Sequence, residues 1–225
     1  MPGAPIRSHR HRGGTGISSG LLFAAVYDRL TRRLECEVLA PRRAQLLGEL
    51  RGDVLDIGAG TGANLAHLAS ATRVVAAEPS AAMRRRLAHR LHQARAPVRI
   101  DNARAEALPY PDASFDAVIF TCVLCSVDDP DRALGEARRV LKREGRLVLL
   151  EHVRGSGRLA VWQDRVTPLW SRIAGGCHPN RDIAEAAARA GFALQPRESF
   201  DPFPRLVPTR PMLAAVAVAA PNRKG

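Results

Sequence analysis

Val54-Leu55-Asp56-Ile57-Gly58-Ala59-Gly60-Thr61-Gly62 sets a carboxylate two positions before a glycine-rich turn. Glycines in such a turn let the backbone bend sharply and approach a ligand without Cβ clashes. With Ala63 the run satisfies G-x-G-x-x-G/A, a pattern of dinucleotide binding. Glu78 stands twenty residues beyond Gly58, after a second apolar run, where a carboxylate can accept both hydroxyls of a ribose. The two features together call for a cofactor that carries a nucleoside. Asp56 would repel a pyrophosphate, whereas a cofactor with a cationic ammonium and sulfonium would be drawn to it. On the glycines alone, a nicotinamide or flavin enzyme stays open.

A second group of reactive residues lies further along. His152 follows an apolar run and could act as a base or as the partner of a thiolate. Cys177-His178 lies in a glycine-rich segment that could form a lid. Arg181 could pair with an acidic group inside the protein or in a substrate, and Asn180 could cap a helix starting at Arg181. Cys122 and Cys125 form C-x-x-C, but a zinc site needs further ligands that the sequence does not place nearby. No metal is therefore expected, and the two cysteines are read as small apolar wall residues. His9 and His11 likewise lack a cysteine or carboxylate beside them.

The elements that must position these groups alternate. Short apolar runs at 53–57, 73–77, 98–100, 115–120 and 146–150 read as strands. Helical stretches lie between them. One starts over 63–68. Another is capped by Ser80, with Met83, Leu87 and Leu91 on one face. A third begins at Asp129-Pro130, buries Leu134, Ala137 and Leu141, and ends at Gly145. Two more helices, over 21–35 and from Pro41 to about Leu50, precede the first strand. A further one carries Trp162 and Trp170, its apolar face over 159–173 lying above the site. Final strands are expected near 192–195 and 213–219. Apolar strands alternating with amphipathic helices imply an α/β fold, a parallel sheet covered on both faces. Such sheets bind ligands beyond the carboxyl ends of the strands, which places the functional loops at 58–64, 78–80, 102–109, 121–126 and 151–155.

Bulk composition narrows the partners. A chain of 225 residues with 46% hydrophobic content fits one domain with a real core. The expected division is a basic tail over 1–18 and a domain over 19–225. Within the domain, helices span 19–50, a cofactor-binding core 51–153, substrate-side helices and lid 154–190, and terminal strands 191–225. The net charge of +12 is carried almost entirely by arginine, scattered rather than gathered into a stripe, and aromatics are 4%. Nucleic acid is therefore not the expected partner, since stacking platforms for bases are scarce. Four cysteines in a core-rich chain point to free thiols in the cytoplasm. No segment reaches the roughly 20 apolar residues of a membrane span.

The segments VLDIGAGTGANL, VVAAEPSAAM, AEALPYPDASFDAVIFTCVLCSV and RVLKREGRLVLLEHV resemble, in order and spacing, the motifs of class I S-adenosylmethionine-dependent methyltransferases. The similarity runs from about residue 20 to 220 and includes the group that acts on quinones and other small molecules. It implies a Rossmann-like, doubly wound, mostly parallel seven-stranded sheet with an antiparallel last strand. The implied cofactor is S-adenosyl-L-methionine. The resemblance puts Asp56 near its amino acid moiety, with Gly58, Ala59, Gly60, Thr61 and Asn64 lining the pocket. Glu78 would hold the ribose, and Pro79 and Met83 would flank the adenosine. Ala105 and Glu106 would border the adenine, Thr121 would reach the methionine end, and Tyr27 would close over the cofactor carboxylate. Many relatives have Asp where this chain has Arg104, which leaves the adenine amino contact open. TCVLCSV, LEHV and GGCHPNRD are also similar to animal methyltransferase-like proteins that methylate alkyl thiols. A small-molecule acceptor follows, with His152, Cys177, His178 and Arg181 on the substrate side. Sulfur, oxygen, nitrogen and carbon acceptors all stay open. A nucleic-acid methyltransferase is the alternative, although Thr121-Cys122-Val123-Leu124 departs from the Asn/Asp-Pro-Pro-aromatic loop common in enzymes that methylate exocyclic amines.

Overall fold

The computed structural model of the chain describes residues 35–203 and 207–219. The basic tail, the expected helix over 21–35 and Tyr27 lie outside the described residues.

Among the described residues, seven strands form one sheet in the order β3-β2-β1-β4-β5-β7-β6. They are β1 (Gly52–Ile57), β2 (Ala71–Ala77), β3 (Val98–Asp101), β4 (Phe115–Thr121), β5 (Leu141–His152), β6 (Phe192–Phe200) and β7 (Met212–Ala219). The first five run parallel, and β7 lies antiparallel to both β5 and β6. The order reverses between β1 and β4, where Asp56 pairs with Ile119 and Ile57 with Phe120. That reversal opens a crevice beyond the carboxyl ends of the two strands.

Strand periodicity explains the two cores. Val54, Val74, Ile119 and Val148 point to one face and pack with Leu47. Leu55, Val75, Val118 and Leu147 point to the other and pack with Leu134, Ala137 and Ile183. Both faces are apolar, as a doubly covered parallel sheet requires. Among the described residues, five α-helices flank it: α1 (Ala40–Leu47), α2 (Ala81–His89), α3 (Pro130–Val140), α4 (Gly157–Ile173) and α5 (Ile183–Arg189). The Ser80 hydroxyl accepts from the Met83 N–H and the Asp129 carboxylate from that of Arg132, so both expected caps are in place. No helix among the described residues is long and apolar enough to cross a membrane.

Four local expectations fail, each for a visible reason. The segment 63–68 makes only a 3-10 turn at Leu65–His67, because Asn64 is turned inward and the chain must start β2 at Ala71. Helix α3 ends at Val140 rather than Gly145, since Leu141 already pairs with Phe115 in β5. Gly145 instead sits where the strand crosses tightly: a Cβ there would lie 2.8 Å from the Leu141 side chain. Asn180 does not cap α5; Asp182 does, accepting from the Glu185 N–H, while Asn180 binds Asp164. Helix α4 buries Ala160, Gln163 and Thr167, and leaves Val161, Leu169 and Ile173 exposed, so its apolar residues do not form one buried face. Gln163 sets that orientation. Its oxygen accepts from the Gly155 N–H, and its amide reaches the carbonyls of Pro179, Pro208 and Arg210.

Candidate active site

A cavity of about 890 Å³ lies in the crevice at the sheet reversal. Its first wall is the loop after β1. Gly58 has φ +63°, and a Cβ there would meet the Val123 side chain at 2.5 Å, so glycine is required both for the turn and for the approach of the β4 loop. Gly58, Ala59, Gly60, Thr61 and Asn64 all face the cavity.

Asp56 does not. It is fully buried, pointing to the same sheet face as Val54 and away from the cavity wall. Its Oδ1 accepts from Asn64 Nδ2 at 2.7 Å, and its Oδ2 has no partner among the described residues. The same Asn64 amide donates to Thr121 Oγ1 at 3.1 Å, and Asn64 Oδ1 accepts from Arg43 at 2.5 Å. Arg43 stands on α1, is 5% exposed and lines the cavity. Sequence reasoning missed it, because nothing local marks a helix arginine as facing a strand tip. The corner thus offers a cation for a carboxylate, and a carboxylate that acts through Asn64 rather than by contact.

Burial raises the Asp56 pKa to about 7, opposed by the Asn64 hydrogen bond and the Arg43 charge and helped by Glu78. The folded value lies above the ordinary one of 3.8, so the folded chain holds a proton that the unfolded chain has released. Stability from this group is therefore full below about pH 4 and lost as the pH rises through about 7. A ligand with an ammonium group reverses the preference, since it favours the ionised form. Affinity for such a ligand is expected to rise from pH 6 to pH 8 and then level, with the slope abolished in Asp56→Asn. Calorimetry across that range checks it; a flat wild-type profile contradicts it.

Glu78, at the tip of β2, is 7% exposed and faces the cavity. Its Oε2 accepts from the Gly60 N–H at 3.0 Å and its Oε1 from the Ser80 N–H at 2.7 Å. Burial raises its pKa, and the Ser80 and Gly60 N–H groups and Arg84 oppose that shift. The carboxylate is thereby fixed in direction, with lone pairs left for a diol. Pro79 and Met83 stand beside it, and Ala105 and Glu106 form the next wall. Glu106 Oε1 accepts from the Asp128 N–H, while Arg104 binds both carboxylates, so Arg104 serves this wall as a clamp.

Beyond Thr121 the character changes. The chain leaves β4 through Cys122, whose φ of +57° is unfavourable for a side-chain-bearing residue. Glu151, fully buried on β5, holds this turn: its Oε1 accepts from the N–H groups of Val123 and Leu124 at 2.7 and 3.0 Å. Arg181 holds it from the other side, donating to the carbonyls of Leu124 and Val127, both at 2.7 Å. Arg181 therefore braces the loop and does not line the cavity. His178 is also off the wall; its N–H donates to the Cys125 carbonyl and its ring binds the Gly176 carbonyl. Of the four substrate-side candidates, His152 and Cys177 face the cavity.

They are joined there by Cys125. The ligand atoms of Cys125, His152 and Cys177 all lie within 4.8 Å of one another. The thiol of Cys177 is lowered, first by donation from Cys125 and then by His152, while that of Cys125 is pushed up. Leu39, Trp170, Phe203 and Val207 complete this end with apolar surface.

A family described as a methyltransferase domain matches residues 55–149. A thiol S-methyltransferase of Rattus norvegicus is 33% identical over 171 residues, covering 73% of this chain and 70% of that protein. A demethylmenaquinone methyltransferase of Clavibacter sepedonicus is 44% identical over 137 residues, covering 58% of this chain and 50% of that one. Among solved structures, a SAM-dependent methyltransferase of Thermotoga maritima superposes with a TM-score of 0.63 at 24% identity, covering 88% of this chain and 97% of that one.

Proposed function

The chain belongs to the S-adenosylmethionine-dependent methyltransferases, and on that premise we propose that it methylates the sulfur of a small, partly apolar thiol. The observation that carries the acceptor is the make-up of the cavity beyond Thr121. Two thiols and an imidazole converge there between Leu39, Trp170 and Phe203. The carboxylates on the cavity wall, Glu78, Glu106 and Asp128, are already engaged by backbone N–H groups or by Arg104. The thiol-methylating relative supports the same acceptor.

S-adenosylmethionine supplies a methyl group on a sulfonium, already an activated leaving group. The residues present fit it. Glu78 accepts the ribose hydroxyls, and Pro79, Met83, Ala105 and Glu106 enclose the base. Arg43 receives the carboxylate, and Asp56 balances the ammonium through Asn64. The glycine loop approaches by backbone. Catalysis then rests on holding the acceptor sulfur in line with the methyl–sulfur bond in a water-poor site. A thiol needs only modest help to ionise, and its sulfur would sit beside the Cys125, His152 and Cys177 side chains on the wall. The dinucleotide reading is set aside by the family.

Purified protein with methyl-labelled cofactor, offered alkyl thiols, phenols, amines, quinols and tRNA in parallel, tests this. Label is expected in thioethers. Label confined to a quinol, an amine or tRNA would overturn the acceptor while leaving the family intact.

A further inference from the structure

We propose that Cys125, His152 and Cys177 form a binding site for one thiophilic divalent cation, zinc, whose open fourth position takes the acceptor's sulfur. The acceptor part of this proposal rests on the thiol reading above; the metal site itself does not.

The geometry points there. Zinc bound by sulfur at about 2.3 Å and by imidazole nitrogen at about 2.05 Å in a tetrahedron sets those two ligand atoms about 3.6 Å apart. Cys177 Sγ lies 3.7 Å from His152 Nδ1. The third atom, Cys125 Sγ, is within 4.8 Å of both, against about 3.8 Å for a sulfur–sulfur tetrahedral edge, so a small side-chain movement closes the set. Two sulfurs and one imidazole are ligands that suit zinc.

The three come from separate anchored places. Cys125 follows β4 on the loop that Glu151 and Arg181 hold, and its carbonyl accepts from the His178 N–H. His152 ends β5. Cys177 lies between α4 and α5, where its own N–H binds the Ala174 carbonyl. Cys125 and Cys177 are 2% and 7% exposed, a costly setting for an unneutralised thiolate. One divalent cation with two thiolates and a neutral imidazole leaves that pocket uncharged. All three residues line the cavity that holds the cofactor loop, so a fourth ligand must arrive from the cavity. Three protein ligands and one open position is the arrangement of a catalytic rather than a structural zinc.

The open position defines the chemistry. The acceptor thiol loses its proton to solvent as its sulfur takes that position. A lone pair on that sulfur forms the new bond to the methyl carbon. The methyl–sulfonium bond breaks, and its electron pair returns to the cofactor sulfur. The neutral thioether is a weaker ligand and departs.

Reduced, chelator-stripped protein titrated with cobalt(II) is the test. One equivalent should give the thiolate-to-cobalt charge-transfer band and tetrahedral visible bands, and zinc should bleach them. Cys125→Ser, Cys177→Ser and His152→Ala should lose that spectrum while still binding S-adenosylhomocysteine by calorimetry, which shows that they fold. Cys122→Ser should keep it, since that thiol is directed to the Leu150 carbonyl. An alkyl thiol added to the cobalt form should shift the band, and a phenol should not. No band in the reduced wild type, or a band unaffected in all three variants, overturns the site. Thiol methylation undiminished in chelator overturns the metal's part in the reaction and leaves the thiol reading standing. A normal cobalt spectrum without any thiol methylation does the reverse.

Discussion

Glu78→Ala weakens S-adenosylhomocysteine binding by roughly 1–3 kcal/mol, about 5- to 150-fold in Kd. Two losses combine. The diol of the ribose loses a charged acceptor, and the N–H groups of Gly60 and Ser80 lose the oxygens that hold them at 3.0 and 2.7 Å. The second loss loosens the glycine loop itself, so affinity should fall even for the nucleoside alone. Glu78→Gln keeps one carbonyl oxygen in place and should fall between the two. Calorimetry reads the result directly, and an unchanged Kd removes Glu78 from the site.

Glu151→Ala is the second large effect, and it acts on the fold as well as on turnover. Its carboxylate oxygen accepts from the N–H groups of half-buried Val123 and buried Leu124 on the turn after β4, and that turn includes the positive φ of Cys122. Leaving buried donors unpaired costs about 1–3 kcal/mol each, so destabilisation of about 2–4 kcal/mol is expected once the loss of a buried carboxylate is set against it. The urea midpoint should fall accordingly. Cofactor affinity in the folded fraction should change little, while turnover should collapse, because the wall between Cys122 and Cys125 loses its support. Glu151→Gln retains an oxygen for both N–H groups and should recover most of the stability. A midpoint that does not move in Glu151→Ala would mean the turn is held without it.

The elements were legible where the signal is local. Asp129-Pro130 and Ser80 announce helix starts by side-chain chemistry that needs no tertiary partner, and the short apolar runs of β1, β2, β4 and β5, bounded by turn residues, read as buried strands. The failures occur where distant contacts decide. Nothing within 63–68 says that Asn64 will turn inward to Asp56 and Thr121, and nothing near Gly145 says that Leu141 will pair with Phe115. Asp56 is the instructive case. Its place before the glycines suggests nearness to the cofactor's amino acid moiety, and strand alternation sets it behind the cavity wall with Val54, facing α1 and Arg43. That alternation was readable; the partner on α1 was not.

The substrate side shows the same limit. Cys177, His178 and Arg181 are near neighbours in sequence, yet the turn sends only Cys177 into the cavity and leaves the other two to brace the β4 loop. The C-x-x-C of Cys122 and Cys125 looked unsupported because its companions stand 27 and 52 residues after Cys125, at His152 and Cys177. Glu151 and Gln163 gave no signal at all, since their roles lie in backbone groups of other loops. Many of the scattered arginines are engaged with carboxylates, as Arg139 is with Glu136 and Asp112, and Arg189 with Asp131.

The central claim is one cavity that joins an S-adenosyl cofactor to a thiol acceptor. A single-turnover reaction with methyl-labelled cofactor and an alkyl thiol, with both products measured, tests it most directly. One labelled thioether should form for each S-adenosylhomocysteine released. S-adenosylhomocysteine without thioether, or no turnover with any thiol while another acceptor takes the label, would contradict it.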